Sequence, residues 1–162
     1  LPPPDVEKYP EDSGSRYHLF SEVLSVSLDE VQANFARYGL LDEQVCFLKG
    51  WFKDTLPRAP IDALALARLD GDMYESTMEA LVHLYQRLSP GGYLIVDDYG
   101  LEDGLCKRAV DTFRAKQHID SRLIDIDGHG VLWRKQAEES VAAIAGSEVV
   151  FSPRPTSATS RA

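Results

Sequence analysis

Two apolar runs, each ended by acidic residues, constrain the fold of this chain more than any other feature. Residues 64–69 precede Asp70-Gly71-Asp72, and residues 93–96 precede Asp97-Asp98. Short apolar runs bounded by turn signals are typical of buried strands. In open parallel α/β sheets, ligands bind at the carboxyl ends of the strands. If the two strands are neighbours, Asp70, Asp97 and Asp98 converge on one crevice.

Converging carboxylates favour a divalent cation. They repel one another unless they are protonated or bridged by a cation, and Mg²⁺ binds a few carboxylates together with water and substrate oxygens. A structural alternative exists for Asp72, because Asp72-Met73-Tyr74-Glu75 has the capping-box pattern of a helix start. Both interpretations stay open here, and a capping role does not exclude a chemical one.

Composition indicates a single globular domain and argues against several functions. The chain has 162 residues, an apolar fraction of 44% and a net charge of −9. This acidic balance disfavours nucleic-acid binding, which needs basic patches. No apolar segment reaches the ~18 residues that cross a membrane. Cys46 and Cys106 lack metal-site spacing, so we predict reduced core cysteines in a cytoplasmic protein.

Alternating helical and extended patterns predict an α/β domain with a mainly parallel sheet. A capping box at Ser27 precedes a helix, and Ser89-Pro90-Gly91-Gly92 is expected to stop another. Composition changes after Lys135, so residues 1–135 form the predicted domain and residues 136–162 a disordered tail. The predicted helices cover residues 28–38, 74–88, 102–116 and, within the tail, 137–144. The predicted strands cover residues 45–48, 61–69, 93–97, 123–126 and 131–133.

Three residues outside the acidic groups are candidates for ligand contact. Gly50 follows the predicted strand 45–48, and a glycine there allows close approach of the backbone to a ligand. Trp51 is placed to stack on a flat ring, or alternatively to fill a hydrophobic gap under the next loop. His18 lies among aromatic residues and is a candidate base or substrate contact, with ordinary packing as the alternative.

Several long motifs resemble the macrocin O-methyltransferase (TylF) family. They are NFARYGL at 34–40, GWFKDTLP at 50–57, RLDGDMYEST at 68–77, LSPGGY at 88–93, VDDYG at 96–100 and GVLWR at 130–134. The resemblance covers residues 1–135. It implies a class I methyltransferase Rossmann-like fold with helices on both faces of the sheet. It also implies that this chain is the C-terminal part of the catalytic domain, without the N-terminal half that carries the glycine-rich cofactor-binding turn.

The family resemblance implies a function as well. Its members are S-adenosylmethionine- and Mg²⁺-dependent enzymes that methylate sugar hydroxyls of glycosylated antibiotics such as macrolides and aminocoumarins. The start of the following helix and a nearby cation both favour the ionised form of Asp72, so we expect a low pKa there. The matching positions are Asp70, Asp97 and Asp98 for the metal ligands, Asp72 for the catalytic base, and Gly50 and Trp51 for contact with the cofactor adenine.

Two other functions remain open on the sequence alone. An Asp-x-Asp after an apolar strand also occurs in haloacid-dehalogenase-type phosphatases, where the first Asp is the nucleophile. The required lysine and Ser/Thr are not evident here. The second alternative is an inactive fragment or a chain that only associates with others. For partners, the sequence predicts a small-molecule glycoside, excludes nucleic acid and membrane, and allows a homo-oligomer.

Overall fold

The computed structural model of this chain describes residues 3–137. The disordered tail predicted for residues 136–162 and the helix predicted over 137–144 therefore lie outside the described residues, except for their first positions. Within residues 3–137, no helix combines the length and apolar character needed to cross a bilayer.

Within the described range, four strands form one mixed sheet in the order β1-β2-β4-β3. The strands are β1 (Leu64–Leu69), β2 (Leu88–Val96), β3 (Ile124–Asp125) and β4 (Val131–Arg134). β1 and β2 are parallel neighbours, whereas β4 is antiparallel to both β2 and β3. The predicted neighbourhood of the first two strands is confirmed. The last two strands are antiparallel because a connection this short cannot make a parallel crossover.

The described part of the chain forms five α-helices, of which α2, α4 and α5 are long. The helices are α1 (Ser21–Leu24), α2 (Leu28–Arg37), α3 (Phe52–Thr55), α4 (Tyr74–Leu84) and α5 (Leu105–Lys116). Short 3₁₀ turns cover Pro10–Asp12, Tyr17–Phe20, Leu56–Arg58 and Tyr85–Arg87. The capping box predicted before α2 is confirmed, because Glu30 and Ser27 each bond the other's backbone amide.

The core lies between one face of the sheet and the helices α4 and α5. Side chains alternate along a strand, so Leu94 and Val96 of β2 are buried while Tyr93 between two buried neighbours is 44% exposed. Tyr85 packs edge-to-face on Phe113 with 5.4 Å between ring centroids. α4 and α5 pack on each other, and their buried side chains share one core with those of β1, β2 and β4.

Three predictions of local structure are wrong. Residues 45–48 form no strand, although one edge of β1 stays unpaired within the described residues. Residues 89–92 do not end a helix; they belong to β2, as an irregularity in its register with β1. Cys106 is buried as expected, but Cys46 is exposed because its predicted strand does not exist.

Candidate functional site

Three carboxylates meet at one edge of the sheet, where the parallel strands β1 and β2 end. Leu69 and Val96 are register partners at the ends of the two strands, so the residues that follow them lie side by side. One carboxylate oxygen from each of Asp70, Asp72 and Asp98 lies within 4.8 Å of those of the other two. We call these three side chains the acidic cluster.

The surroundings of Asp72 and Asp98 disfavour the ionised forms of these two carboxyl groups and raise their pKa. Burial, followed by the charges of Asp98 and Asp70, raises the pKa of Asp72 to about 6. Burial also raises the pKa of Asp98, against the opposing effect of a hydrogen bond from the Asp72 amide. Without a cation, burial and two like charges outweigh the start of the helix, so the helix alone does not give Asp72 the low pKa that we predict for it beside a cation.

The backbone at Asp72 explains why its carboxylate faces the cluster. Asp72 has a φ of 52°, in the left-handed region that Asp tolerates better than most residues. Its amide donates to Asp98 Oδ2 at 3.2 Å. The N-cap of α4 is Met73, which makes no side-chain cap. The predicted capping box at Asp72 is therefore not formed, and its carboxylate is left for the cluster.

Asp97 lies apart from the acidic cluster in an ion pair with Arg68. The Arg68 Nε donates to Asp97 Oδ2 at 2.8 Å, and its Nη2 lies 2.7 Å from the same oxygen. Consecutive residues at a strand end point to opposite sides, so Asp97 follows the Arg68 face while Asp98 turns toward Asp70. The structure thus brings together two of the three residues predicted as metal ligands, and it adds the predicted base.

A cavity of about 660 Å³ adjoins the acidic cluster and also reaches Gly50 and Trp51. Gly50 has a φ of 143°, and a Cβ there would lie 2.6 Å from Thr55 Cγ2, so only glycine fits. Trp51 is 48% exposed. The predicted adenine contacts Gly50 and Trp51 therefore share one cavity with Asp70 and Asp72. Its lining comprises Tyr17, Leu24, Gly50, Trp51, Phe52, Lys53, Asp70, Gly71, Asp72, Met73, Glu75, Ser76 and Glu79.

The segment before α1 brings residues to the site that sequence reasoning missed. Asp12 is fully buried and accepts hydrogen bonds from the first amides of α4. The hydroxyl of Tyr17 donates to Asp103 Oδ2 at 2.8 Å and lines the cavity. Its neighbour His18 is not among the lining residues. No local signal marks Asp12 or Tyr17, because their partners lie far away in sequence.

The acidic cluster suits a hard divalent cation. Its donors are carboxylate oxygens, which Mg²⁺ prefers. A bound cation would favour the ionised forms of Asp72 and Asp98, whose pKa is raised by burial and by neighbouring like charges. Asp70 is exposed and the other two are half-buried, which leaves room for a substrate oxygen and water. The residues present therefore fit Mg²⁺.

This chain aligns over most of its length with relatives that are named as O-methyltransferases. It is 54% identical over 134 residues to demethyldecarbamoylnovobiocin O-methyltransferase of Streptomyces niveus, which is 82% of this chain and 51% of that protein. It is 50% identical over 137 residues to 8-demethyl-8-(2,3-dimethoxy-alpha-L-rhamnosyl)-tetracenomycin-C 4'-O-methyltransferase of Streptomyces olivaceus, which is 85% of this chain and 52% of that protein. The chain thus spans about half the length of these relatives.

Solved structures show the same fold. The O-methyltransferase NovP superposes with a TM-score of 0.80 at 52% identity, over 84% of this chain and 56% of NovP. CalS11, a TDP-rhamnose 3'-O-methyltransferase, matches with a TM-score of 0.50 at 23% identity, over 66% of this chain and 50% of CalS11, and supports the fold alone. The predicted Rossmann-like methyltransferase fold is confirmed. Within residues 3–137, however, the sheet is mixed rather than mainly parallel, and helices cover one of its faces instead of both.

The family model that matches is that of the macrocin O-methyltransferases (TylF), over residues 1–135. The match spans every strand, the acidic cluster and the cavity beside it. It leaves no basis for the phosphatase alternative, which rested on Asp70-Gly71-Asp72 alone. This chain therefore belongs to the macrocin O-methyltransferase (TylF) family.

Proposed function

We propose that this chain is the acceptor-binding and proton-accepting part of an O-methyltransferase that acts on a sugar hydroxyl of a glycosylated natural product. The observation that carries the proposal is the acidic cluster beside the cavity, in a chain of this family. The named relatives methylate novobiocin-type and tetracenomycin-type compounds. A small-molecule glycoside is accordingly the proposed substrate class.

Asp72 is the proposed general base. A sugar hydroxyl is a poor nucleophile with a pKa far above neutrality, so methyl transfer requires that a nearby group takes its proton. The pKa of Asp72 is about 6 in the absence of a cation, and a bound Mg²⁺ would lower it further, so the carboxylate is ionised at neutral pH and can accept a proton. The proton moves from the hydroxyl to a carboxylate oxygen of Asp72 as the new O–C bond forms.

Two bound groups complete the proposed site. When bound, S-adenosylmethionine supplies an electrophilic sulfonium methyl group, and Mg²⁺ makes the hydroxyl more acidic. Asp70 and Asp98 are the proposed metal ligands, with Asp97 as a third ligand if it leaves Arg68. Gly50 and Trp51 are proposed to receive the adenine, because one lets the backbone approach and the other offers a partly exposed ring.

Kinetics of the full-length protein test the base. Asp72→Asn should lower kcat by roughly 10²–10⁴-fold, the usual contribution of a general base, while Asp62→Asn, an exposed acid in a loop, should leave kcat unchanged. Asn also caps helices well, so loss of activity cannot be assigned to a lost cap. Near-normal kcat in Asp72→Asn would exclude this role and direct attention to His18.

Calorimetric titration with Mg²⁺ tests the metal ligands and separates two ligand sets. Asp70→Asn and Asp98→Asn should each weaken binding. A comparable loss in Asp97→Asn would indicate that Asp97 leaves Arg68 and becomes the third metal ligand. A loss in Asp72→Asn, with unchanged binding in Asp97→Asn, would indicate that Asp72 is the third ligand instead. Unchanged binding in Asp70→Asn and Asp98→Asn would rule out the site.

A further inference from the structure

The first amides of α4 are capped by a residue from a distant part of the chain. Asp12 Oδ1 accepts from the Tyr74 amide and Asp12 Oδ2 from the Glu75 amide, each at 2.8 Å and across more than 60 residues of sequence. Asp12 is 0% exposed. Burial of a carboxylate is unfavourable unless its oxygens are hydrogen-bonded. The positive end of α4 also stabilises the charge of Asp12.

Asp72 has the sequence pattern to cap the same helix. An N-cap side chain accepts from the second and third amides that follow it. For Asp72 those are the amides of Tyr74 and Glu75, which are the two amides that Asp12 occupies. Asp72 and Asp12 therefore compete for one pair of donors.

The position that Asp72 adopts is the less favourable one for Asp72 itself. Its backbone is left-handed, with a φ of 52°, a conformation that costs energy for any residue with a Cβ. Its carboxylate lies among those of Asp70 and Asp98, and like charges at this distance repel. A move to the helix cap would relieve both effects and would supply two hydrogen bonds.

We propose that Asp12 is a positioning residue that keeps the Asp72 carboxylate in the acidic cluster. By holding the Tyr74 and Glu75 amides, Asp12 denies Asp72 the helix cap. Without Asp12, Asp72 leaves the cluster, takes the cap and extends α4 by one residue at its start. Only the catalytic consequence of this exchange rests on the proposed function; the exchange itself is a property of the fold.

Amide hydrogen exchange in the full-length protein tests whether Asp72 replaces Asp12 as the cap of α4. The variants are Asp12→Ala, Asp72→Ala and the double variant, with Glu7→Ala, an exposed acid of the same segment, as control. The Tyr74 and Glu75 amides should stay protected in each single variant and should exchange at least tenfold faster in the double variant. Equal loss of protection in Asp12→Ala and in the double variant would overturn the proposal.

Thermal melting gives an independent readout of the same cycle. Asp72→Ala should not lower the Tm of the wild type, but in the Asp12→Ala background it should lower the Tm by roughly 2–4 °C, because Asp72 has then become the cap. Equal shifts in both backgrounds would contradict the proposal. If Asp12→Ala does not fold, Asp12→Asn keeps the volume and one acceptor oxygen, and the same cycle should show a smaller shift of the same sign.

Activity measurements separate this inference from the proposed function. Asp12→Ala should lower kcat toward the value of Asp72→Asn, and the combined variant should lose no more than about twofold further, because the base has already left its place. If the losses of kcat in the two single variants multiply in the combined variant, Asp72 does not replace Asp12 as the cap. An inactive wild-type protein would count against the proposed function instead. The hydrogen-exchange and thermal-melting experiments would then still decide the role of Asp12.

Discussion

The surroundings of Glu79 lower the pKa of its carboxyl group, whereas those of Asp72 and Asp98 raise it. The Glu79 carboxylate lies 3.4 Å from His83 Nε2, 2.7 Å from Lys8 Nζ and 2.6 Å from the Tyr9 hydroxyl, all of which are placed to donate. These donors, His83 first, outweigh burial and lower the pKa of Glu79 to about 2. The contacts tie the segment before α1 to the middle of α4.

We expect Glu79→Gln to destabilise the full-length protein by about 2 kcal/mol at pH 7. The folded-state pKa lies below the ordinary value of 4.5, so the stabilisation is complete above that value and is lost as the pH falls toward about 2. Urea unfolding at pH 7, 5, 4 and 3 should show the difference from wild type shrinking in the acid steps. Glu102→Gln, at an exposed site, is the control, and a pH-independent difference would contradict this assignment.

Residue contacts could be predicted from the sequence only where a general rule of the fold brings the two residues together. Asp70 and Asp98 were placed together because strand ends in a parallel sheet share an edge, and the structure confirms their proximity. Arg68 and Asp12 were missed, since each bonds a partner from another element. The capping pattern at Asp72 was real, but a competitor 62 residues away from Tyr74 holds that amide.

Helix α2 is the element whose stability depends most on its own sequence. None of its residues is buried, so it gains little from packing, and helices of this length are marginal by themselves. The reciprocal hydrogen bonds between Ser27 and Glu30 are therefore a large part of what holds it.

Ser27→Ala should consequently open α2 without unfolding the core. Loss of such a cap costs about 1 kcal/mol, and we expect roughly fivefold faster hydrogen exchange at the amides of α2 with the Tm nearly unchanged. Ser25→Ala, just outside the helix, is the matched control. A change spread over α4 and α5 as well would show that α2 is coupled to the core.

Element prediction succeeded where periodicity and pairing agreed. The unit β1-α4-β2 was predicted from two apolar runs separated by a helical pattern, and it forms. Residues 45–48 have the composition of a strand but lack a partner within the described residues. They contribute Phe47, which packs edge-to-face on Phe35 with 5.5 Å between ring centroids. Composition alone cannot predict whether a segment pairs with a neighbouring strand.

The irregular start of β2 makes a sharp test of the β1–β2 pairing. A Cβ at Gly92 would lie 2.9 Å from the carbonyl oxygen of Ala65 on β1. Gly92→Ala should therefore destabilise the protein by roughly 1–3 kcal/mol, the usual cost of overpacking, measured by urea unfolding. At Gly130 a Cβ would meet nothing closer than 3.5 Å, so Gly130→Ala should cost much less. Equal destabilisation by Gly92→Ala and Gly130→Ala would mean that β1 moves and so relieves the close contact between the new Cβ and the Ala65 carbonyl oxygen.

At the largest scale, the elements within residues 3–137 cover one face of the sheet and leave the other face open. On the open face Leu66 is 52%, Tyr93 is 44% and Ile124 is 45% exposed. β1 pairs only with β2 in the described range, so its other edge presents free backbone donors and acceptors. Exposed edges and contiguous apolar surface both promote association between chains.

We therefore expect the 162-residue chain, expressed alone, to self-associate. Light scattering and sedimentation at about 10–100 μM should show oligomers, since edge pairing between copies would occupy the free side of β1 and face-to-face packing would bury Leu66 and Tyr93. Leu66→Lys with Tyr93→Lys should shift the distribution toward monomer because charges on a strand oppose edge pairing. Leu19→Lys changes a residue that is 66% exposed but lies off the sheet, and it should not have this effect. A monodisperse wild-type monomer with a cooperative melt would show that the open face is stable in water, and a response to Leu19→Lys equal to that of the sheet variants would move the contact away from the sheet.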